Sequence, residues 1–204
     1  ALVIGSGLEG KGLKVLRLNK LAKIISSDVS FSPSLDLICD AHDLPFVEST
    51  FDVVICQAVL EHVIDPFKCV EEIFRILKSD GYVYAETPFM QQVHMAPYDF
   101  TRFSYMGHRR LFRKFEEIDS GICCGPGMAL AWAYQYFLLS FFESKFMKRF
   151  IRYFAICTSF YLSYFDPYLI KKSGAIDAAS AYFFIGKKSK KILSDKLLIS
   201  QYKR

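Results

Sequence analysis

Residues 39–65 read CDAHDLPFVESTFDVVICQAVLEHVID, and residues 66–89 continue PFKCVEEIFRILKSDGYVYAETPF. Phe51–Cys56 is a nearly unbroken apolar run, the pattern of a parallel strand buried on both faces. Asp65-Pro66 supplies an N-cap and a first helical residue. Val70, Ile73, Phe74 and Leu77 then recur at i, i+3, i+4 and i+7, which predicts a helix with one apolar face. Ser79-Asp80-Gly81 is expected to end it, and Tyr82–Ala85 to form the next strand. A strand, a helix and a second strand in about forty residues make a parallel crossover unit.

The same alternation extends outward. Upstream, Leu35–Cys39 reads as a strand ending at Asp40, and Ile24–Ile25 leads a strand to Asp28. Lys11–Asn19 suits a short helix, and Ala1–Ile4 is an apolar strand running into Gly5-Ser6-Gly7-Leu8-Glu9-Gly10. Downstream, Ser104–Lys114 reads as a helix, Phe115–Cys123 as a strand and Ala178–Gly186 as the last strand. The prediction is an α/β fold with an open, mostly parallel sheet covered on both faces, in one domain over 1–190. A helical insertion at about 128–170 precedes the last strand, and 191–204 form a basic tail.

Composition narrows the function. Of 204 residues, 52% are apolar and 23% charged, a globular balance. The net charge of +5 is unevenly placed. Residues 1–120 carry 13 Lys/Arg against 17 Asp/Glu, and residues 121–204 carry 13 against 4. An even basic coat for nucleic acid is therefore absent, and no nucleic-acid partner is expected. The six cysteines lack C-x-x-C or Cys/His ligand spacing, so neither a disulfide framework nor a metal is expected, and a reducing, cytoplasmic setting is. No signal peptide is read. Because Ala1 already lies in an apolar run, N-terminal targeting is left open.

Four features point to chemistry in the acidic part. Gly5-x-Gly7-x-x-Gly10 follows a strand and opens a helix, where glycines let backbone approach a ligand. Asp28, at the next strand end, suits both ribose hydroxyls of a nucleotide; the alternative is a structural glycine turn beside a solvated acid. Asp40 can accept from an adenine amino group, whereas Asp43 better suits a local cap. Glu61-His62 can orient a substrate or take a proton, or can simply bond the backbone. The loop after Ala85 holds Gln91, His94, Asp99 and Arg102. There His94 is the candidate base, Asp99 its orienting partner and Arg102 a grip for a carboxylate or phosphate. The competing reading is an Asp99–Arg102 pair that staples the loop.

Taken together, DAHDLPF, FDVV, LEHV and the helix ending RILKSDG resemble, in order and spacing, the class I S-adenosylmethionine-dependent methyltransferases of the small-molecule type. The resemblance covers about residues 1–123 and the last strand. It implies a seven-stranded Rossmann-like sheet and S-adenosylmethionine as cofactor. It places Gly5, Ser6 and Gly7 beside the methionine end, Asp28 at the ribose, Asp40 and Ala41 at the adenine and Gln57 near the sulfonium. From the residues themselves, Glu61, Gln91 and Arg102 are read as substrate-side residues, with His62, His94 and Asp99 as catalytic candidates. Val3 replaces an acid common two positions before the first glycine, and Glu9 stands where a third glycine is usual.

The basic part reads differently. Residues 128–168 hold 15 aromatics in 41. Phe142, Phe146, Phe150 and Phe154 repeat at i+4, with Lys145, Lys148, Arg149 and Arg152 on another side. That pattern suits an interfacial helix on an anionic leaflet, a lid for a lipid-linked acceptor, or two helices packed on the body. The expectation is methyl transfer, at oxygen, to a small or lipid-linked acceptor, by a protein that is cytoplasmic or peripheral on the inner membrane face. The alternative is an inactive cofactor-binding, membrane-associated domain.

Overall fold

The structure, a computed structural model, describes residues 1–7 and 23–202. The predicted Lys11–Asn19 helix, Glu9 and Gly10 lie outside the described residues. One seven-stranded sheet organises the chain. Its strands are β1 (Leu2–Ile4), β2 (Ile25–Asp28), β3 (Leu37–Ile38), β4 (Phe51–Gln57), β5 (Leu77–Pro88), β6 (Phe115–Cys124) and β7 (Ala181–Lys188). Their spatial order is β3-β2-β1-β4-β5-β7-β6. The first five run parallel, and β7 is antiparallel between β5 and β6. The order reverses direction at β1 and β4, so a crevice opens at their carboxyl ends, where ligands bind in such sheets.

The helices are α1 (Pro66–Ile76), α2 (Tyr105–Leu111), α3 (Pro126–Leu139), α4 (Lys145–Ser159), α5 (Asp166–Leu169) and α6 (Asp195–Ser200). Helix α1 starts as its sequence dictates: the Asp65 carboxylate accepts from the Lys68 N–H, and Pro66 occupies the first turn. Its buried side chains, Cys69, Val70, Ile73 and Ile76, join Leu2, Ile4, Val54, Cys56, Val83 and Ala85 of the central strands in the main core. The helix stops at Ile76 because Leu77 is already extended (φ −74°, ψ 140°) and pairs with Phe51. Val53 next pairs with Tyr82, so Lys78–Gly81 loop out of β5 instead of ending the helix. A side chain at Gly81 would meet backbone oxygens of Lys78 and Asp52 at 3.1 and 3.2 Å, which explains the glycine.

The insertion between β6 and β7 comprises α3, α4, the 3-10 turn Phe160–Phe165, α5 and the 3-10 turn Ser173–Asp177. Two stretches that read as simple breaks, Gly125-Pro126-Gly127 and Asp166-Pro167, meet in space. The Asp166 carboxylate accepts from Gly127 N (2.7 Å) and Met128 N (3.1 Å), capping the positive end of α3. A Cβ at Gly127 would fall 2.1 Å from the Leu162 carbonyl, so only glycine permits this approach. On α4 the inward stripe is Ile151, Ala155 and Ser159. The Phe stripe stays outside: Phe146, Phe150 and Phe154 are 78%, 60% and 47% exposed. No helix among the described residues is long and apolar enough to cross a membrane.

Candidate active site

The strand ends bring Gly7 and Asp28 of the predicted nucleoside residues together. The chain leaves β1 through Gly5 and Gly7 with φ of +69° and +37°, conformations that favour glycine. The Asp28 carboxylate, at the end of β2, accepts from Gly7 N (3.0 Å) and Ser30 N (2.9 Å). Each carboxylate oxygen retains a further lone pair for a ribose hydroxyl. Asp28 therefore locks the glycine turn at the end of β2. Ser6 departs from expectation: it is buried, with N and Oγ both donating to the Ser27 carbonyl, so its side chain belongs to β2.

At the end of β3 the local cap belongs to Asp40, not to Asp43. Asp40 Oδ1 accepts from His42 N (2.9 Å) and lies 2.6 Å from His42 Nδ1. His42 Nε2 accepts from Asp65 N (3.1 Å), which fixes the ring as the Nδ1–H tautomer and ties this loop to α1. Those bonds hold the Asp40 carboxyl below its ordinary value. Asp40 is exposed and its Oδ2 remains available to an adenine edge, beside the buried Ala41. Gln57 closes β4, the strand on one side of the switch point, and pairs in register with Glu86 of β5.

The ligand-side loop after β5 is held by Arg102. Its guanidinium donates through Nε to the Gln91 carbonyl, through one terminal nitrogen to Asp99 and the Thr101 carbonyl, and through the other to Asp99 and the Gln92 carbonyl. Five N–H groups meet five acceptors. The sequence reading of Arg102 as a grip for a substrate anion is thus corrected: it is the staple. Asp99 is held down at about 2, chiefly by its bonds to Arg102. The expected His94–Asp99 contact also exists, with His94 N donating to Asp99 Oδ2 (2.9 Å) and His94 Nδ1 3.4 Å from it.

Beneath the loop lies Glu61, fully buried, whose carbonyl accepts from Phe100 N and Thr101 N. Neither carboxylate oxygen has a hydrogen-bond partner among the described residues. Burial pushes this carboxyl up to about 7, with the Arg102 charge opposing. His62 Nε2 is 3.6 Å from Glu61 Oε1, and His62 Nδ1 is 2.6 Å from the Tyr98 carbonyl. Burial lowers the His62 pKa. The His62 and His94 rings meet edge-on at 4.8 Å. Glu61, His62 and His94, read separately in the sequence, therefore form one cluster. An acid-imidazole pair after one strand and an imidazole in the next ligand-side loop was the signal that could have joined them.

Next to this cluster is a cavity of about 620 Å³, walled by Phe89–Val93 and Asp99–Arg102 on the loop side and by Ala129, Ala133 and Tyr136 of α3. Gln91 is among its lining residues. Tyr136 Oη donates to the Val93 carbonyl (3.2 Å) and fastens α3 over the loop.

The sheet defines an α/β protein of the doubly wound type, with a crevice at its strand ends. Comparison with known proteins sharpens that class: residues 2–85 match the methyltransferase domain family. The match spans less than half of the chain, and together with the fold it makes the chain similar to the class I S-adenosylmethionine-dependent methyltransferases. Among its relatives, the ubiquinone biosynthesis O-methyltransferase of Thiobacillus denitrificans is 37% identical over 87 residues, covering 43% of this chain and 35% of that one. The tRNA U34 carboxymethyltransferase of Campylobacter fetus is 28% identical over 86 residues, covering 42% and 29%. The chain spans about a third or less of the length of the curated relatives it matches. The solved phosphoethanolamine N-methyltransferase 2 of Haemonchus contortus, bound to S-adenosylhomocysteine, superposes with a TM-score of 0.60 at 15% identity, covering 93% of this chain and 48% of that one. The cofactor of this class is S-adenosylmethionine. The positive-φ glycines and the Asp28 carboxylate fit its nucleoside.

Proposed function

We propose that the chain transfers a methyl group to an oxygen of a small or lipid-linked acceptor held in the cavity under α3. The observation that carries this is the cavity itself. It stands at the carboxyl end of β5, beside the crevice of β1 and β4, and its lining is mostly apolar with Gln91, Gln92, Asp99, Thr101 and Arg102 at fixed positions. S-adenosylmethionine supplies an electrophilic methyl group, so positioning the acceptor provides much of the acceleration. Asp28 holds the ribose, Asp40 and Ala41 border the adenine, and Gln57 stands at the switch point. Gln91 orients the acceptor, and the Arg102 staple keeps the loop walls in place. The Glu61-His62-His94 cluster lowers the cost of removing an acceptor proton, with Asp99 positioning His94. The O-methyltransferase relative supports an oxygen acceptor.

The test is calorimetry with S-adenosylmethionine, followed by labelled methyl transfer into a membrane-plus-metabolite extract and identification of the product. Cofactor binding with a labelled phenol, acid or lipid supports the reading. Absence of cofactor binding overturns it in favour of an inactive interaction domain. The outward Phe146, Phe150 and Phe154, with Lys145, Arg149 and Arg152 exposed on the same helix, also support contact of α4 with an anionic membrane surface.

A further inference from the structure

We propose that Glu61, His62 and His94 bind a divalent first-row transition-metal ion. One candidate ligand atom from each residue lies within 4.8 Å of the others. Two imidazoles and one carboxylate form a ligand set used for zinc and for non-haem iron, with positions left open. A tetrahedral zinc site needs ligand atoms about 3.4 Å apart, given Zn–N bonds of 2.0–2.1 Å. Closing the set therefore takes a contraction of about 1.4 Å from the widest separation. His94 can supply it by a side-chain rotation, because its ring is partly exposed while Glu61 and His62 are fixed from below.

Three observations favour an ion over a local hydrogen-bond cluster. Glu61 is fully buried, and both its oxygens lack a hydrogen-bond partner among the described residues. A buried carboxylate is held ionised only where an opposite charge compensates it. The neighbouring cation cannot supply a direct bond, because all five Arg102 N–H groups are committed to Asp99 and to the carbonyls of Gln91, Gln92 and Thr101. Both rings are also held in the manner of metal-bound imidazoles. His62 Nδ1 reaches the Tyr98 carbonyl at 2.6 Å, and His94 Nδ1 lies 3.4 Å from both the Gln92 carbonyl and Asp99 Oδ2, which leaves each Nε2 as the outward donor atom.

Three protein ligands leave at least one position for water or an acceptor oxygen. A hydroxyl bound there loses its proton more readily. That consequence rests on the methyl-transfer reading, whereas ion binding stands without it.

The test uses the whole chain after chelator treatment, titrated with Zn²⁺ by calorimetry and with Co²⁺ by visible absorption. The expected result is one ion per chain and a cobalt spectrum of nitrogen–oxygen coordination. Glu61→Gln, which keeps the side-chain shape, and His94→Ala, at a partly exposed position, should each weaken binding about 100-fold or more. Asp99→Asn should weaken it about 10- to 100-fold through His94. Circular dichroism confirms that each variant is folded. Failure of the wild-type chain to take up either ion overturns the proposal, as does uptake that Glu61→Gln and His94→Ala leave unchanged. Methyl transfer in a metal-free chain that takes up no ion would leave the transfer reading intact while removing the ion.

Discussion

Replacing Gly5 by alanine tests the geometry of the cofactor turn with two separable terms. The first is conformational: φ is +69°, a region that costs an L-residue roughly 1–2 kcal/mol. The second is steric. An added Cβ would fall 2.1 Å from Val59 Cγ2, with Val59 Cβ at 3.4 Å. Forcing a methyl group into a packed site costs about 1–3 kcal/mol. The loss of unfolded-chain freedom returns about 0.4–1 kcal/mol. Gly5→Ala should therefore destabilise the protein by roughly 1–4 kcal/mol and weaken S-adenosylmethionine binding. Val59→Ala deletes the offending methyl and leaves only the ordinary 3.4 Å contact. In the double variant the steric term should vanish, giving a coupling energy of about 1–3 kcal/mol while the φ cost remains. Urea denaturation of the four proteins measures the coupling, and calorimetry measures the cofactor. Strict additivity would refute the claim that Val59 enforces glycine here. Wild-type stability and affinity in Gly5→Ala would refute the turn geometry itself.

Further outcomes follow from the same contacts. Asp28→Asn should raise the dissociation constant for S-adenosylmethionine about tenfold or more, equivalent to about 1.4 kcal/mol, as read by calorimetry. Arg102→Lys loses the planar fork that joins Asp99 to three carbonyls and should cost about 1–3 kcal/mol in urea denaturation, a loss that a free substrate-gripping arginine would not show. His108 is buried against Phe112 and Phe184, and desolvation lowers its pKa to about 3, with the adjacent Arg109 charge adding to the shift. Because the folded value lies below the unfolded one near 6.5, its contribution is complete above pH 6.5 and falls as pH drops toward 3. His108→Phe should therefore flatten the loss of stability between pH 6.5 and 5, which is about 2 kcal/mol for this group. Phe150→Ser with Phe154→Ser should reduce co-sedimentation with anionic vesicles at unchanged thermal stability, since both rings are largely exposed.

The parallel core was legible because its signals are local. An unbroken apolar strand, an N-cap followed by proline and an i, i+3, i+4, i+7 stripe each need only neighbouring residues. The strand of Ala178–Gly186 was legible as a strand, and its antiparallel place between β5 and β6 followed from the resemblance, not from its own residues. The loop of Lys78–Gly81 was misread because Ser-Asp-Gly ends helices and opens loops alike, and only pairing with Phe51 and Val53 decides between them. Arg102 was misassigned for a different reason. A guanidinium serves substrate or staple equally well by type, and the count of backbone carbonyls around it exists only in the folded loop. The Glu61-His62-His94 cluster escaped because its third member is 32 positions from the second, with no spacing rule to join them.

The basic insertion is closed on itself at one carboxylate and fastened to the acidic body through α3. Asp166 caps α3 through Gly127 and Met128, and the glycine lets α3 rest on the Leu162 carbonyl. Helix α3 is also one wall of the cavity, fastened to the opposite wall by Tyr136 and the Val93 carbonyl. The segment that supplies Leu162 and Asp166 continues directly from α4 and carries exposed Tyr161, Tyr164 and Phe165. A surface that engages this aromatic segment therefore bears on the cavity wall through short, directional contacts, with no route through the sheet required. The Asp28 and Asp40 bonds at the strand ends are separate from these contacts, running among β1, β2, the β3 loop and the start of α1. The division of charge in the sequence thus corresponds to a division of structure: the acidic part builds the strand ends and their crevice, and the basic part builds the insertion whose α3 walls the cavity.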